Sequence, residues 1–137
     1  MNIPKSHYVS ETLNFHYLKK DGKCFIGEDP WHFELEWEGF NNQEFLRLYD
    51  RPKNIISINL LPEGVEDIDQ VKNDFNIHDD NRMTELTKKR VCLVLNDKGY
   101  YLAIKLKAID PPNGTAVLEY KIATDRSANF SKSKKQS

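Results

Sequence analysis

What this chain lacks narrows its chemistry first. There are only two cysteines in 137 residues, Cys24 and Cys92, far apart and with no Cys-x-x-Cys spacing, so neither a disulfide framework nor a thiolate zinc site is indicated. Each sits inside a β-rich run and is expected to be a small buried hydrophobe. No apolar run approaches the ~18 residues of a membrane helix, and the first residues lack a signal-peptide core, so a soluble cytoplasmic protein is expected. Charge of one sign is missing as well. Twenty basic residues face 21 acidic ones, for a formal charge of −1. That balance gives no global reason to expect nucleic acid or an anionic membrane as partner. Gly-x-Gly-x-x-Gly, the phosphate-binding loop and Gly-x-Ser-x-Gly are absent, and with them the common nucleotide and hydrolase signatures.

What is present is β structure. Val91 to Ile122 holds three β-rich runs joined by Asn96-Asp97-Lys98-Gly99 and Pro111-Pro112-Asn113-Gly114, the pattern of a three-stranded meander. Pairing across the first turn sets Leu93 opposite Leu102 and Val91 opposite Ile104. Pairing across the second sets Leu106 opposite Leu118, Ile104 opposite Tyr120 and Leu102 opposite Ile122, with Lys105 facing Glu119 on the other side. One face of all three strands is then apolar, and a slip of one residue would turn it towards water.

Upstream, Trp31, Phe33, Leu35 and Trp37 alternate with His32, Glu34, Glu36 and Glu38, a strand with one buried and one acidic face. Asp21-Gly22, between the runs Leu13 to Leu18 and Cys24 to Ile26, reads as a hairpin turn. Glu44 to Asp50 and Ile55 to Leu61 are two further strands. The sum is an all-β single domain over 13–123, a sandwich or open barrel of about eight mostly antiparallel strands. Residues 62–90 interrupt it. Val65, Ile68, Val71 and Phe75 stand near helical spacing there, as in a short amphipathic helix or a long loop packed on the barrel. The polar residues Met1 to Thr12 form a loose lead-in, and residues 124–137 a disordered basic tail.

Two constellations carry chemistry. Asp110, then Glu119 and Lys121 on the next strand, has the layout of metal-dependent nucleases, in which carboxylates hold Mg²⁺ and a lysine orients water. The carboxylate-bearing helix and the further strand that such a core needs are missing. His78-Asp79-Asp80, near Asp74, lacks the ligand spacing of a cation site and reads as a solvated loop. His7, His16 and His32 have no second ligand nearby, so no metal or cofactor is expected. The other constellation is aromatic and basic. Tyr49, Arg51, Tyr100 and Tyr101 fall at strand ends and turns, with Arg47 and Lys53 close by; these residue types anchor binding surfaces by stacking and forked hydrogen bonds.

Three segments also resemble a known family. Phe33-Glu34-Leu35-Glu36-Trp37, then Leu48-Tyr49-Asp50-Arg51-Pro52-Lys53-Asn54-Ile55, then Gly99 to Lys105 followed by Leu118-Glu119-Tyr120, are similar to motifs of an uncharacterised bacterial all-β domain. That domain occurs alone or beside Toll/interleukin-1 receptor-like signalling modules. The resemblance spans Phe15 to Ile122 and carries over no catalytic residue. It implies an accessory role in bacterial stress or phage-defence signalling. The leading expectation is therefore a non-enzymatic module that binds a small molecule or protein through Tyr49, Arg51, Tyr100 and Tyr101. The alternatives are a nuclease or phosphodiesterase using Asp110, Glu119 and Lys121, and an assembly protein that pairs as a homodimer through a sheet edge.

Overall fold

The computed structural model describes residues 8–40, 42–72 and 80–131. Nine strands build it: β1 (Tyr8–His16), β2 (Lys23–Glu28), β3 (Trp31–Gly39), β4 (Leu46–Tyr49), β5 (Ile55–Leu60), β6 (Met83–Leu86), β7 (Val91–Asn96), β8 (Tyr101–Asp110) and β9 (Thr115–Ala123). They form two antiparallel sheets, β1-β9-β8-β7-β5 and β2-β3-β4-β6, stacked as a sandwich and not closed into a barrel. Period-two patterning puts Phe33, Leu35 and Trp37 of β3 against Val94, Leu102, Ile104 and Leu118 of the other sheet, all buried.

The second turn of the meander has the expected register: Leu106 faces Leu118, Ile104 faces Tyr120, Leu102 faces Ile122 and Lys105 faces Glu119. The first is shifted by one residue. Cys92 faces Ile104, Val94 faces Leu102, and Leu93 faces Ala103 instead of Leu102. The cause is the loop. Gly99 takes φ +88° and donates to the Asn96 carbonyl, while the Asn96 N–H reaches the Tyr100 carbonyl, so three residues rather than two lie between the paired ends. The shift does not expose apolar groups, because β7 is buried on both faces. Cys92 and Val94 enter the main core; Val91 and Leu93 enter a second cluster behind the sheet.

That second cluster decides between the two readings of residues 62–90, in favour of a packed loop, and corrects one further expectation. Val65, Ile68 and Val71 are buried together, but they ride on an irregular segment with a single 3₁₀ turn at Ile68–Gln70 rather than a helix. Phe75 lies outside the described residues. The Gln70 side chain accepts the N–H groups of Glu66 and Asp67 at 2.8 and 2.9 Å, and Lys105 of β8 reaches the Glu66 carbonyl at 2.6 Å. The segment is thereby fastened to the sheet. The tail expected to be disordered from residue 124 is packed as far as Ser131. Phe130 is fully buried, its N–H donates to the Val71 carbonyl at 2.8 Å, and Tyr8 donates its hydroxyl to the Asn129 carbonyl at 2.7 Å. Its lone aromatic is what a mainly polar composition hid.

Two corrections concern the edges. Asp21 and Gly22 both take positive φ, as the turn signal requires, but β1 pairs with β9 and β2 with β3. The turn is a corner between sheets, not a hairpin. It packs so tightly on β3 that a Cβ at Gly22 would lie 2.0 Å from the Trp37 carbonyl oxygen. β1 also begins at Tyr8, inside the stretch expected to be a loose lead-in. The ninth strand, β6, lies within the interruption; its four residues carry only Thr84 and Leu86 inward.

Candidate binding face

The outer face of the four-stranded sheet follows from alternation. With Phe33, Leu35 and Trp37 inward, Glu34, Glu36 and Glu38 must point outward. The register sets Glu38 beside Arg47 and Arg47 beside Glu85 in one row, and Lys23, Glu36, Tyr49 and Met83 in the next. Opposite charges then meet. Arg47 pairs with Glu85 at 2.8 Å and lies 4.0 Å from Glu38; Arg51 pairs with Glu36. The Tyr49 hydroxyl donates to Glu38, and the Arg51 guanidinium lies over the Tyr49 ring at 3.9 Å. At the β2 edge Phe25 is 62% exposed and stacks on His32, with ring centres 6.1 Å apart; at the β6 edge Met83 is 41% exposed. Among the described residues, no element covers this face.

Exposed ion pairs of this kind are each worth about 0–1 kcal/mol. The network therefore contributes little to folding, yet it holds Tyr49 and Arg51 in a fixed pose. That lowers the ordering cost of any partner's approach.

The four expected site residues are not brought together. Tyr49 and Arg51 share this face. Tyr100 is buried in the main core beneath the Arg126 guanidinium, which sits 4.4 Å over its ring. Tyr101 is half-buried against the second cluster on the opposite side of the molecule. Phe25, His32, Arg47 and Met83 belong to the face instead. The signal that finds them is period two: each stands on the outward set of its strand.

The nuclease layout is spread out. Asp110 faces Thr115, four residues along β9 from Glu119, about 13 Å at strand spacing. Glu119 lies opposite Lys105 in the sheet, as expected, but the Lys105 ammonium turns to Asp67 at 2.9 Å. Lys121 faces Ala103 and Ser10. Asp110 instead rims a shallow hollow of about 410 Å³ on the outer face of β1, β9 and β8, with Asn14, His16, Thr115, Ala108 and Val117; it contains none of the four expected site residues. Among the described residues, no three His, Cys, Asp or Glu side chains are placed to hold a metal ion.

His78, Asp79 and Asp74 lie outside the described residues. Asp80 is structural: it accepts the N–H groups of Ile58 and Arg82 at 3.2 and 2.9 Å and shares a hydrogen bond with Asp50. That bond, with burial and the neighbouring Asp80 charge, lifts the Asp50 carboxyl to about 6. Burial pushes Asp80 up, but hydrogen bonds from Asp50 and the two N–H groups hold it below the ordinary value. The cysteines are free and buried, and burial pushes their thiols up to about 11 for Cys24 and about 12 for Cys92. Neither supplies a thiolate nucleophile near neutral pH.

No protein-family model, curated protein or solved structure matches this chain.

Proposed function

We propose that the protein is a non-enzymatic binding module that docks a protein partner on the outer face of its four-stranded sheet. One observation carries this proposal. The face presents Phe25, Arg47 and Tyr49 on strands and Arg51 just after β4, with Arg47 and Arg51 ion-paired and Tyr49 hydrogen-bonded to Glu38, and is left uncovered among the described residues, whereas the other sheet's outer face bears a second apolar cluster. Arginine and aromatic residues are the side chains that dominate interface energetics. The mixed sign of the face, with Glu34, Glu36, Glu38 and Glu85 among its cations, suits a protein surface of mixed charge and opposes a polyanion. The setting that the sequence resemblance implies is bacterial stress or phage-defence signalling.

The test is affinity capture from the source cells with the wild-type chain and with a Tyr49→Ala, Arg51→Glu variant of matched melting temperature. Loss of a specific partner from the variant alone is the expected result. An unchanged set of captured proteins would exclude the face.

A further inference from the structure

β1 and β2 follow each other in the chain but belong to different sheets, so no ladder joins them and a gap is left between the two layers. The corner that links them fixes its width. Lys19 donates its N–H to the His16 carbonyl at 3.1 Å and accepts the Gly22 N–H at 3.1 Å, and the Tyr17 N–H reaches the Gly114 carbonyl at 3.0 Å. The corner is also wedged against β3 at two points. A Cβ at Gly39 would lie 2.0 Å from the Tyr17 ring, and one at Gly22 would meet the Trp37 carbonyl oxygen at the same distance. Anchored in this way, the end of β1 and the start of β2 cannot close on each other.

The gap is a hollow of about 400 Å³, at the small end of the ~300–1,000 Å³ range of small-molecule sites. Its walls are apolar. Leu13 and Phe15 come from the inward set of β1 and Cys24 from that of β2, with Phe25 beside them. Phe15 and Cys24 are buried, and the Phe15 ring rests against Trp37 with centres 6.4 Å apart. Leu13 packs on the same core yet is only half-buried. One end of the hollow is basic. Lys19 and Lys23 line it there and are exposed. Glu36, the cross-strand neighbour of Lys23, is taken by Arg51, and neither lysine has an ion pair among the described residues. The carboxylates nearest in sequence, Glu11 and Asp21, are not part of the lining. Glu11 lies four residues back along β1 from Phe15, about 13 Å at strand spacing and away from the corner.

An apolar hollow with cations at one end suits an amphiphile. Burying its chain removes apolar area from water, and the two ammonium groups act as point charges for a single anionic head. We infer that this hollow binds a small monoanionic amphiphile, a medium-chain carboxylate in type, with its chain against Leu13, Phe15 and Cys24 and its head at Lys19 and Lys23. The inference goes beyond the docking face and does not rest on it, because neither Tyr49 nor Arg51 lines the hollow.

The experiment is titration of the full chain with decanoate, followed by calorimetry and by the backbone amide shifts of a nitrogen-15-labelled sample. Saturable one-to-one binding is expected, with the largest shifts at Leu13, Phe15 and Cys24. Decylammonium has the same chain with the opposite head, and acetate has the head without the chain. Each should bind at least about tenfold more weakly than decanoate. Lys19→Glu combined with Lys23→Glu changes two exposed positions; the variant should keep the wild-type circular dichroism spectrum and prefer decylammonium. Tyr49→Ala combined with Arg51→Glu should bind decanoate as the wild type does, so this site and the docking face can fail separately. No saturable binding, equal affinity for decanoate and decylammonium, or shifts centred away from the hollow would each overturn the inference. So would a folded charge-reversed variant that still prefers decanoate, or loss of decanoate binding in the Tyr49, Arg51 variant.

Discussion

The two outer faces of this sandwich are built from the same alternation and end in opposite states. Behind the five-stranded sheet, Val91, Leu93 and Ala103 face outward and are covered by Leu61, Val65, Ile68 and Val71 from the segment after β5, and by Ala128 and Phe130 after β9. Behind the four-stranded sheet, Glu34, Glu36, Arg47 and Tyr49 face outward and stay bare. The covered face gains from apolar area removed from water; the bare one from exposed ion pairs worth little each. With the proposed docking face, stability and recognition fall on different sides of one fold. A charge ladder can remain rigid without a cover, and an apolar face cannot remain exposed without a partner.

The largest blow to this contrast would come through Phe130. Phe130→Ala should destabilise the protein by about 3–5 kcal/mol, because a fully buried ring leaves a cavity that the surroundings only partly fill. Urea unfolding measures it, and a loss below about 1 kcal/mol would mean that the second cluster is a peripheral attachment. Next is Lys105→Met, which frees the segment's anchor at Glu66 and Asp67. It should cost about 1–2 kcal/mol, the range for a charged hydrogen bond discounted for the exposure of Asp67.

Asp50 sharpens the contrast by pH. It closes the end of β4, and its carboxyl is raised from 3.8 to about 6 by the bond to Asp80. A raised acid contributes stability that is complete below its unfolded value and is lost as pH rises through the folded one. The wild-type melting temperature should therefore carry a falling component between about pH 4 and 6. Asp50→Asn, which keeps a donor for Asp80, should remove that component and be the more stable protein above pH 6. Identical pH profiles for the two proteins would remove the carboxyl pair from the account. The smallest effect belongs to the bare face. Tyr49→Ala and Arg51→Ala should each change stability by less than about 1 kcal/mol, and a loss of several would show that this face is structural after all.

Much of this could be seen in the residues. The alternation at Trp31 to Glu38 announced both the core and the acidic side of β3. The Pro111 to Gly114 turn fixed its own register because Gly114, at φ +68°, supplies the left-handed residue that closes it. The closeness of Tyr49 and Arg51 was visible too, and the two side chains do meet. Tyr100 and Tyr101 were not separable by type: adjacent strand residues point to opposite faces, and here one face is the main core and the other the second cluster. Nothing local in Ala128-Asn129-Phe130 shows that it will cross the sheet to meet Val71 and Tyr8, contacts made across sequence separations of 59 and 121 residues respectively.

What the sequence by itself determined was most of the strands, the two faces of β3 and the register of the β8–β9 hairpin, and the turns where glycine must take positive φ, because these depend on neighbours within a few residues. Tertiary structure decided which strands share a sheet and which outer face is covered. Asp21-Gly22 shows why. The same positive-φ turn serves a hairpin or a corner, and only the packing of Gly22 against the Trp37 carbonyl, from a strand not yet formed when that turn is read, selects the corner.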